Sequence, residues 1–295
     1  SLHDALPILA SFYKCFVFMK RKILVIHNGY PLRGDGGDKV RTLNMLQSLD
    51  SIGFDVCLLA FFKKDFSLLA LNKKSMPSNI KSYFIFTLPD RWGLGGIAAL
   101  FRAVITWIIV KCNHIELIQL ETSLSASCVR YLKKNILVVT DFHADPVPEL
   151  QMNGRTKSSI NCAEKDVCYA LSRSQRIIAV SNNLANNLKK YYSYDCPFSI
   201  LPCSFNSEKF HIDPAQMIAL REKMHLKERI VLCYLGGLQK WQCVEETLDI
   251  FLRLKKKDDR YFLCIYTNDD LTPFAKKIEL LGESYGMKGI ILIFA

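Results

Sequence analysis

The chain has 295 residues, half of them apolar and 23% charged, with a formal net charge of +11. That balance excludes a disordered or fibrous chain and, at a usual domain size of about 100–200 residues, points to two globular domains. The excess of Lys and Arg suits a phosphorylated ligand or an anionic membrane surface; no basic stripe interleaved with aromatics occurs, so no nucleic-acid partner is expected.

Residues 1–18 hold a short apolar run that is too brief to span a bilayer and lacks a basic leader. They are expected to be a non-native leader, with translation starting at Met19 ahead of Lys20-Arg21-Lys22. From there short apolar strands alternate with amphipathic helices. Strands are expected over residues 23–26, 56–61, 83–86, 115–119, 136–140, 176–180 and 198–201. Helices are expected over 38–51, where Val40, Leu43, Leu46 and Leu49 set the period, over 93–111, 125–133 and 183–191, and ending over 164–172. The 93–111 segment is the most apolar, and Arg102 interrupts it. It reads as a core or flap helix, with an interfacial helix touching lipid through Phe101, Trp107 and Ile108 as the other reading.

Strands separated by helices imply βαβ units, hence α/β architecture with parallel sheets covered on both faces. Residues 19–206 form a first Rossmann-like domain on this reading. A linker, 207–227, contains a short helix at 215–224. A second block, 228–295, opens a further Rossmann-like unit with strands at 230–235, 261–266 and 290–294 and helices at 244–255 and 272–285. Its brevity leads to the expectation that this second domain is incomplete.

Eleven cysteines include no CxxC and no Cys/His cluster at metal-ligand spacing, so no metal site is expected. Cys57, Cys233 and Cys264 fall within apolar strands, where Cys acts as a small hydrophobe. An odd number of thiols suits a reducing, cytoplasmic compartment.

Four places carry chemistry. The loop His27-Asn28-Gly29-Tyr30-Pro31-Leu32-Arg33-Gly34-Asp35-Gly36-Gly37 joins the first strand to its helix, where backbone N–H groups and a helix N-terminus favour an anion. Gly34, Gly36 and Gly37 are candidate diphosphate contacts, and Arg33 an acceptor-side residue. Lys39 replaces the third glycine of a dinucleotide fingerprint, and no GxxxxGK[ST] occurs; both absences argue against an NAD enzyme and a P-loop NTPase. The strand at 136–140 runs into Asp141-Phe142-His143-Ala144-Asp145, at the strand end where parallel sheets bind ligands. His143 and Asp141 are the catalytic candidates, and Asp145 is placed on the acceptor side. In the second block Gly236, Gly237 and Lys240 form another glycine turn for the donor diphosphate.

The remaining motif is Arg176-Ile177-Ile178-Ala179-Val180-Ser181-Asn182, then Ile200-Leu201-Pro202-Cys203-Ser204-Phe205-Asn206 and Phe210. With the turn at Tyr234-Leu235-Gly236-Gly237, this order resembles the retaining glycosyltransferases of group 1, or family four, over nearly the whole chain from Lys22 to Ala295. The resemblance implies the GT-B fold and transfer of a sugar, with retention, from a nucleoside-diphosphate sugar to a glycan or lipid-linked acceptor. It implies no separate cofactor, and a place in cell-surface polysaccharide synthesis. The chain departs from that pattern. Pro202-Cys203-Ser204 stands where the family has Pro-Asn-Gly, and Gly237 where it has Arg. Lys240 comes earlier than the usual Lys, and no pair of glutamates lies eight residues apart. Truncation is the expected reason for the missing pair, and the chain by itself is expected to transfer little sugar. A GT-B epimerase or hydrolase and a non-enzymatic sugar-phosphate-binding module remain the alternatives.

Overall fold

The structure is a computed structural model and describes residues 21–29, 37–62, 79–87, 95–204, 213–267, 269 and 290–294. The loop carrying Arg33, Gly34 and Gly36 and the expected helix at 272–285 lie outside these residues, as does the expected domain boundary at 206. The described residues divide into two compact units. The first runs to Pro148 and resumes at Thr156; the second holds Glu149–Arg155 and the chain from Asp213 onward.

The first unit is a seven-stranded parallel sheet among the described residues. Its strands are β1 (Lys22–Asn28), β2 (Asp55–Phe62), β3 (Lys81–Phe86), β4 (Leu117–Glu121), β5 (Leu137–Phe142), β6 (Arg176–Ala179) and β7 (Phe198–Ile200). They lie side by side in the order β3-β2-β1-β4-β5-β6-β7. The order reverses direction at β1, so the crevice for a ligand lies beyond the carboxyl ends of β1 and β4. Ile23, Leu24, Val25 and Ile26 are fully buried, as expected of a parallel strand covered on both faces. One face packs through Leu24, Ile26, Ile118 and Phe142 onto α2 (Gly95–Asn113), α4 (Lys157–Arg173) and α5 (Asn182–Tyr192). The other packs through Ile23, Val25, Leu58 and Val139 onto Met45, Leu46 and Leu49 of α1 (Gly37–Ser51).

Local chemistry sets the helix starts. Ser181 accepts a hydrogen bond from Leu184 N–H at the head of α5, and Thr156 accepts one from Ser159 N–H at the head of α4. Three expectations are corrected. The fourth strand runs to Glu121 rather than ending at Gln119, because the carboxylate finds partners at the strand end. The expected helix over 125–133 is a 3-10 stretch, Ser123–Val129. Its serines bond back to the backbone, with Ser125 Oγ donating to Glu121 O, and so compete with an α-helix. The buried face of α1 also begins at Arg41 and Thr42, while Val40 is exposed. A short helix missed in the sequence, α3 (Pro146–Met152), follows β5.

In the second unit β8 (Ile230–Leu235), β9 (Tyr261–Thr267) and β10 (Ile290–Phe294) form a parallel sheet in the order β10-β9-β8. Helix α7 (Val244–Lys257) packs Val244, Leu248, Phe251 and Leu252 on Leu263 and Ile265. It carries Glu245 and Glu246 in its first turn and Lys255, Lys256 and Lys257 in its last, which suits the helix dipole. Helix α6 (Pro214–Lys223), within the expected linker, groups with this unit; Asp213 caps it and Pro214 opens it. The described cysteines are free thiols; Cys57 and Cys264 are buried as expected, whereas Cys233 is exposed.

Candidate active site

Three titratable residues end neighbouring strands at one level. His27 of β1 stands opposite Glu121 of β4, and Glu121 opposite Asp141 of β5. Glu121 and Asp141 have buried carboxylates, and carboxylates taken from water need positive partners and hydrogen bonds. Helix α1 supplies some. Arg41 grips Asp141 with both edges of its fork, Nε to Oδ2 at 2.8 Å and Nη2 to Oδ1 at 3.0 Å. The same guanidinium donates to Leu201 O at 2.9 Å and Pro202 O at 3.2 Å, tying the segment after β7 to the cluster. Thr42 Oγ1 stands 3.1 Å from Glu121 Oε2, and Gln119 Nε2 donates to Glu121 Oε1 at 2.7 Å.

His143, one residue beyond β5, closes the arrangement. Its Nε2 lies 3.2 Å from Asp141 Oδ2 and 3.4 Å from Glu121 Oε2. Burial works to strip its proton, but hydrogen bonds and charge from Asp141 and Glu121 outweigh it and raise the pKa to about 10. Burial likewise works to raise Asp141, and His143 together with Arg41 holds it below the usual carboxylate range instead. The cluster thus balances two carboxylates with a guanidinium and an imidazolium. The ligand atoms of Glu121, Asp141 and His143 lie within 4.8 Å of one another, close enough for a cation. With His143 protonated, the ring itself supplies that charge.

Three features mark the cluster as more than an ion-pair lattice. His143 Nδ1 and His27 Nδ1 are buried and have no hydrogen-bond partner among the described residues. An imidazolium N–H left unmatched is a donor for a ligand oxygen. Thr122, next to Glu121, holds φ 66° and ψ 163°, a region that suits glycine. Such strain collects at functional sites, where surrounding structure over-determines the backbone. Gly29 follows β1 at φ 151°, and a Cβ there would stand 3.0 Å from the His27 ring, so only glycine fits beside that histidine.

The other sequence candidates fall elsewhere. Asp145 does not join the cluster. Its carboxylate accepts from Tyr192 Oη at 3.0 Å and from Val147 N–H at 3.0 Å, at the head of α3. Gly37 opens α1 and lines a pocket of about 270 Å³ with Arg41, Asn44, Leu201, Pro202 and Cys203. In the second unit, Gly236 and Gly237 follow β8, and the exposed Lys240 lies in a one-turn 3-10 helix. Asp269 braces that turn, accepting from Leu238 N–H at 2.6 Å and from Gln239 Nε2 at 3.1 Å. The helix proper starts at Val244, so the amides nearest the glycines belong to the turn rather than to α7.

Sequence reading missed Glu121, Arg41, Thr42, Gln119 and His27 as site residues. A signal existed for three of them. Gln119 and Glu121 alternate with leucines at the end of a strand, and Arg41 sits four residues before Met45 on a buried stripe.

No known protein-family pattern and no curated protein sequence matches the chain. Solved structures do. HepE of Anabaena in complex with UDP and glucose superposes with a TM-score of 0.62 at 15% identity, covering 93% of this chain and 69% of that one. Sucrose-phosphate synthase of Thermosynechococcus elongatus gives 0.67 at 15% identity, covering 93% and 70%. A glycosyltransferase of Rickettsia africae gives 0.63 at 15%, covering 94% and 69%. At such identities the likeness concerns the fold, and on that ground the chain has the GT-B fold, with parallel α/β sheets in each of its two units.

Proposed function

We propose that this protein is a glycosyltransferase that moves a sugar, with retention, from a nucleoside-diphosphate sugar to a glycan or lipid-linked acceptor. The observation that carries the reading is the Glu121–Asp141–His143–Arg41 cluster, set at the carboxyl ends of β4 and β5 in a fold whose solved examples include one holding UDP and glucose. A departing diphosphate gathers negative charge, and a preorganised donor in a water-poor site stabilises it. His143 is suited to that task because it keeps its proton at neutral pH, which also makes it a poor general base there. In this reading Asp141 holds the ring, and Arg41 fixes Asp141. Each unit has its own glycine turn, with Gly34, Gly36 and Gly37 in one and Gly236, Gly237 and Lys240 in the other, as a candidate source of amides and charge for phosphate. Arg33 and Asp145 are assigned to the acceptor. No separate cofactor takes part, and the reaction runs on the cytoplasmic side in surface polysaccharide assembly.

Incubating the chain with a panel of nucleoside-diphosphate sugars, with and without oligosaccharide and lipid-linked acceptors, tests this. The expected result is release of nucleoside diphosphate that depends on acceptor, slow in keeping with the little transfer expected of this chain by itself, and that falls at least tenfold further in His143→Ala, the loss of one charged donor being worth about 2 kcal/mol or more. A sugar nucleotide changed without any acceptor would mean an epimerase or hydrolase. Binding without any turnover would mean a non-enzymatic module.

A further inference from the structure

Helix α2 (Gly95–Asn113) is built inside out. Its outward stripe, at spacings of three and four, is Ile97, Leu100, Phe101, Val104, Trp107 and Ile108, each between 42% and 58% exposed. Arg102, Thr106 and Asn113 face the protein instead. Arg102 and Thr106 are buried, and Thr106 bonds back to Arg102 O at 2.8 Å. Asn113 accepts from Lys81 Nζ at 2.8 Å and Tyr83 Oη at 3.0 Å. A surface helix in water normally turns its polar face outward. A contiguous exposed apolar stripe of this kind marks an interaction site.

The same face continues into positive charge. One turn past Trp107 comes exposed Lys111, and a pocket of about 220 Å³ at the foot of the helix is lined by Trp107, Lys111, His114, Leu132 and Lys133. Exposed Lys134 follows, and α2 contains no carboxylate along its 19 residues. By length and composition the helix could cross a membrane. Yet Ile109 and Val110 are part of the core beneath the first sheet, which holds the helix side-on to the protein. An apolar stripe that meets lysines, on a chain of net charge +11, fits one occupant best.

We infer that α2 docks on an anionic membrane surface, lying in the interface with Phe101 and Trp107 among the acyl chains and lipid phosphates at Lys111, His114 and Lys133. A helix of this length spans roughly 28 Å, so the whole stripe meets the surface at once. The inference stands on α2 and its pocket, and does not depend on the transferase reading.

Sedimentation of the full chain with vesicles tests it. Binding is expected to vesicles of equal parts phosphatidylcholine and phosphatidylglycerol, to weaken with added salt, and to be slight on phosphatidylcholine alone. Phe101→Ser with Trp107→Ser should abolish binding. Lys111→Gln with Lys133→Gln, at exposed positions that leave the core intact, should lower partitioning by roughly tenfold or more. Circular dichroism should report unchanged folding for both. Equal binding to the two vesicle types, or unchanged binding in both double variants, would overturn the inference. So would resistance to alkaline carbonate extraction, the mark of a spanning helix. Concentration-dependent dimerisation abolished by the Phe101/Trp107 pair would assign the face to a second copy instead.

Discussion

His143 keeps its proton because two carboxylates face one ring nitrogen, and that has a measurable pH signature. Its folded pKa of about 10 lies above the ordinary histidine value of 6.5. The stabilisation is therefore complete below about pH 6.5 and is lost as pH rises through about 10. The thermal midpoint should fall along that alkaline limb, and His143→Gln should remove the limb; the same limb in both proteins would refute the assignment. Asp141 shifts the opposite way, so its contribution is present above the usual carboxylate range and disappears as pH falls. Arg41 offers a sharper test. Arg41→Met leaves the Asp141 carboxylate buried without its fork and should cost about 3–5 kcal/mol in urea unfolding. Arg41→Lys should recover only part, since a point charge cannot replace a bidentate pair. His143 and Asp141 were legible in the sequence because a strand end announces itself. The pairings of Arg41 and Thr42 were not, because their carboxylate partners lie 100 and 79 residues further along the chain. Only the sheet register brings those positions together.

Strands were read from apolar runs, and the structure places one at every expected position among its described residues. The ends were harder to read. A strand is expected to stop before a carboxylate, yet β4 carries Glu121 inside the sheet because the site satisfies it. The segment after it resists reading for the same reason, as the chain must turn sharply at Thr122 to leave Glu121 in place. Thr122 makes that turn at a cost of order 1–3 kcal/mol in strain. Thr122→Gly should relieve most of it and, after the extra chain entropy of glycine, stabilise the protein by roughly 1 kcal/mol in chemical unfolding. If the strain holds Glu121 for function, the same variant should lose turnover while gaining stability. A loss of stability would show that Thr122 is held there by contacts worth more than the strain. Helix α2 is an element whose expected position held and whose inner face packs into the core of the first sheet; periodicity located it, but only burial shows which face looks outward.

Across the whole molecule, two parallel α/β units each bring a glycine-containing turn after a first strand, and the chain carries a net charge of +11. Positive charge of that size favours anionic ligands at long range and repels itself within the compact state. A bound diphosphate answers both effects. Under the proposed function, uridine diphosphate binds the folded chain and not the unfolded one, so at about a hundred times its dissociation constant it should add about 2.7 kcal/mol of stability. The shift should shrink as salt rises, because screening shortens the reach of the lysines and arginines to about 8 Å at physiological ionic strength. Adenosine and guanosine diphosphates share the phosphates and differ in the base, so a comparable shift from all three would trace recognition to the glycine turns and Lys240. A shift from one alone would place the selectivity at the base. No shift from any diphosphate, at any salt, would leave the fold standing and remove the donor from it.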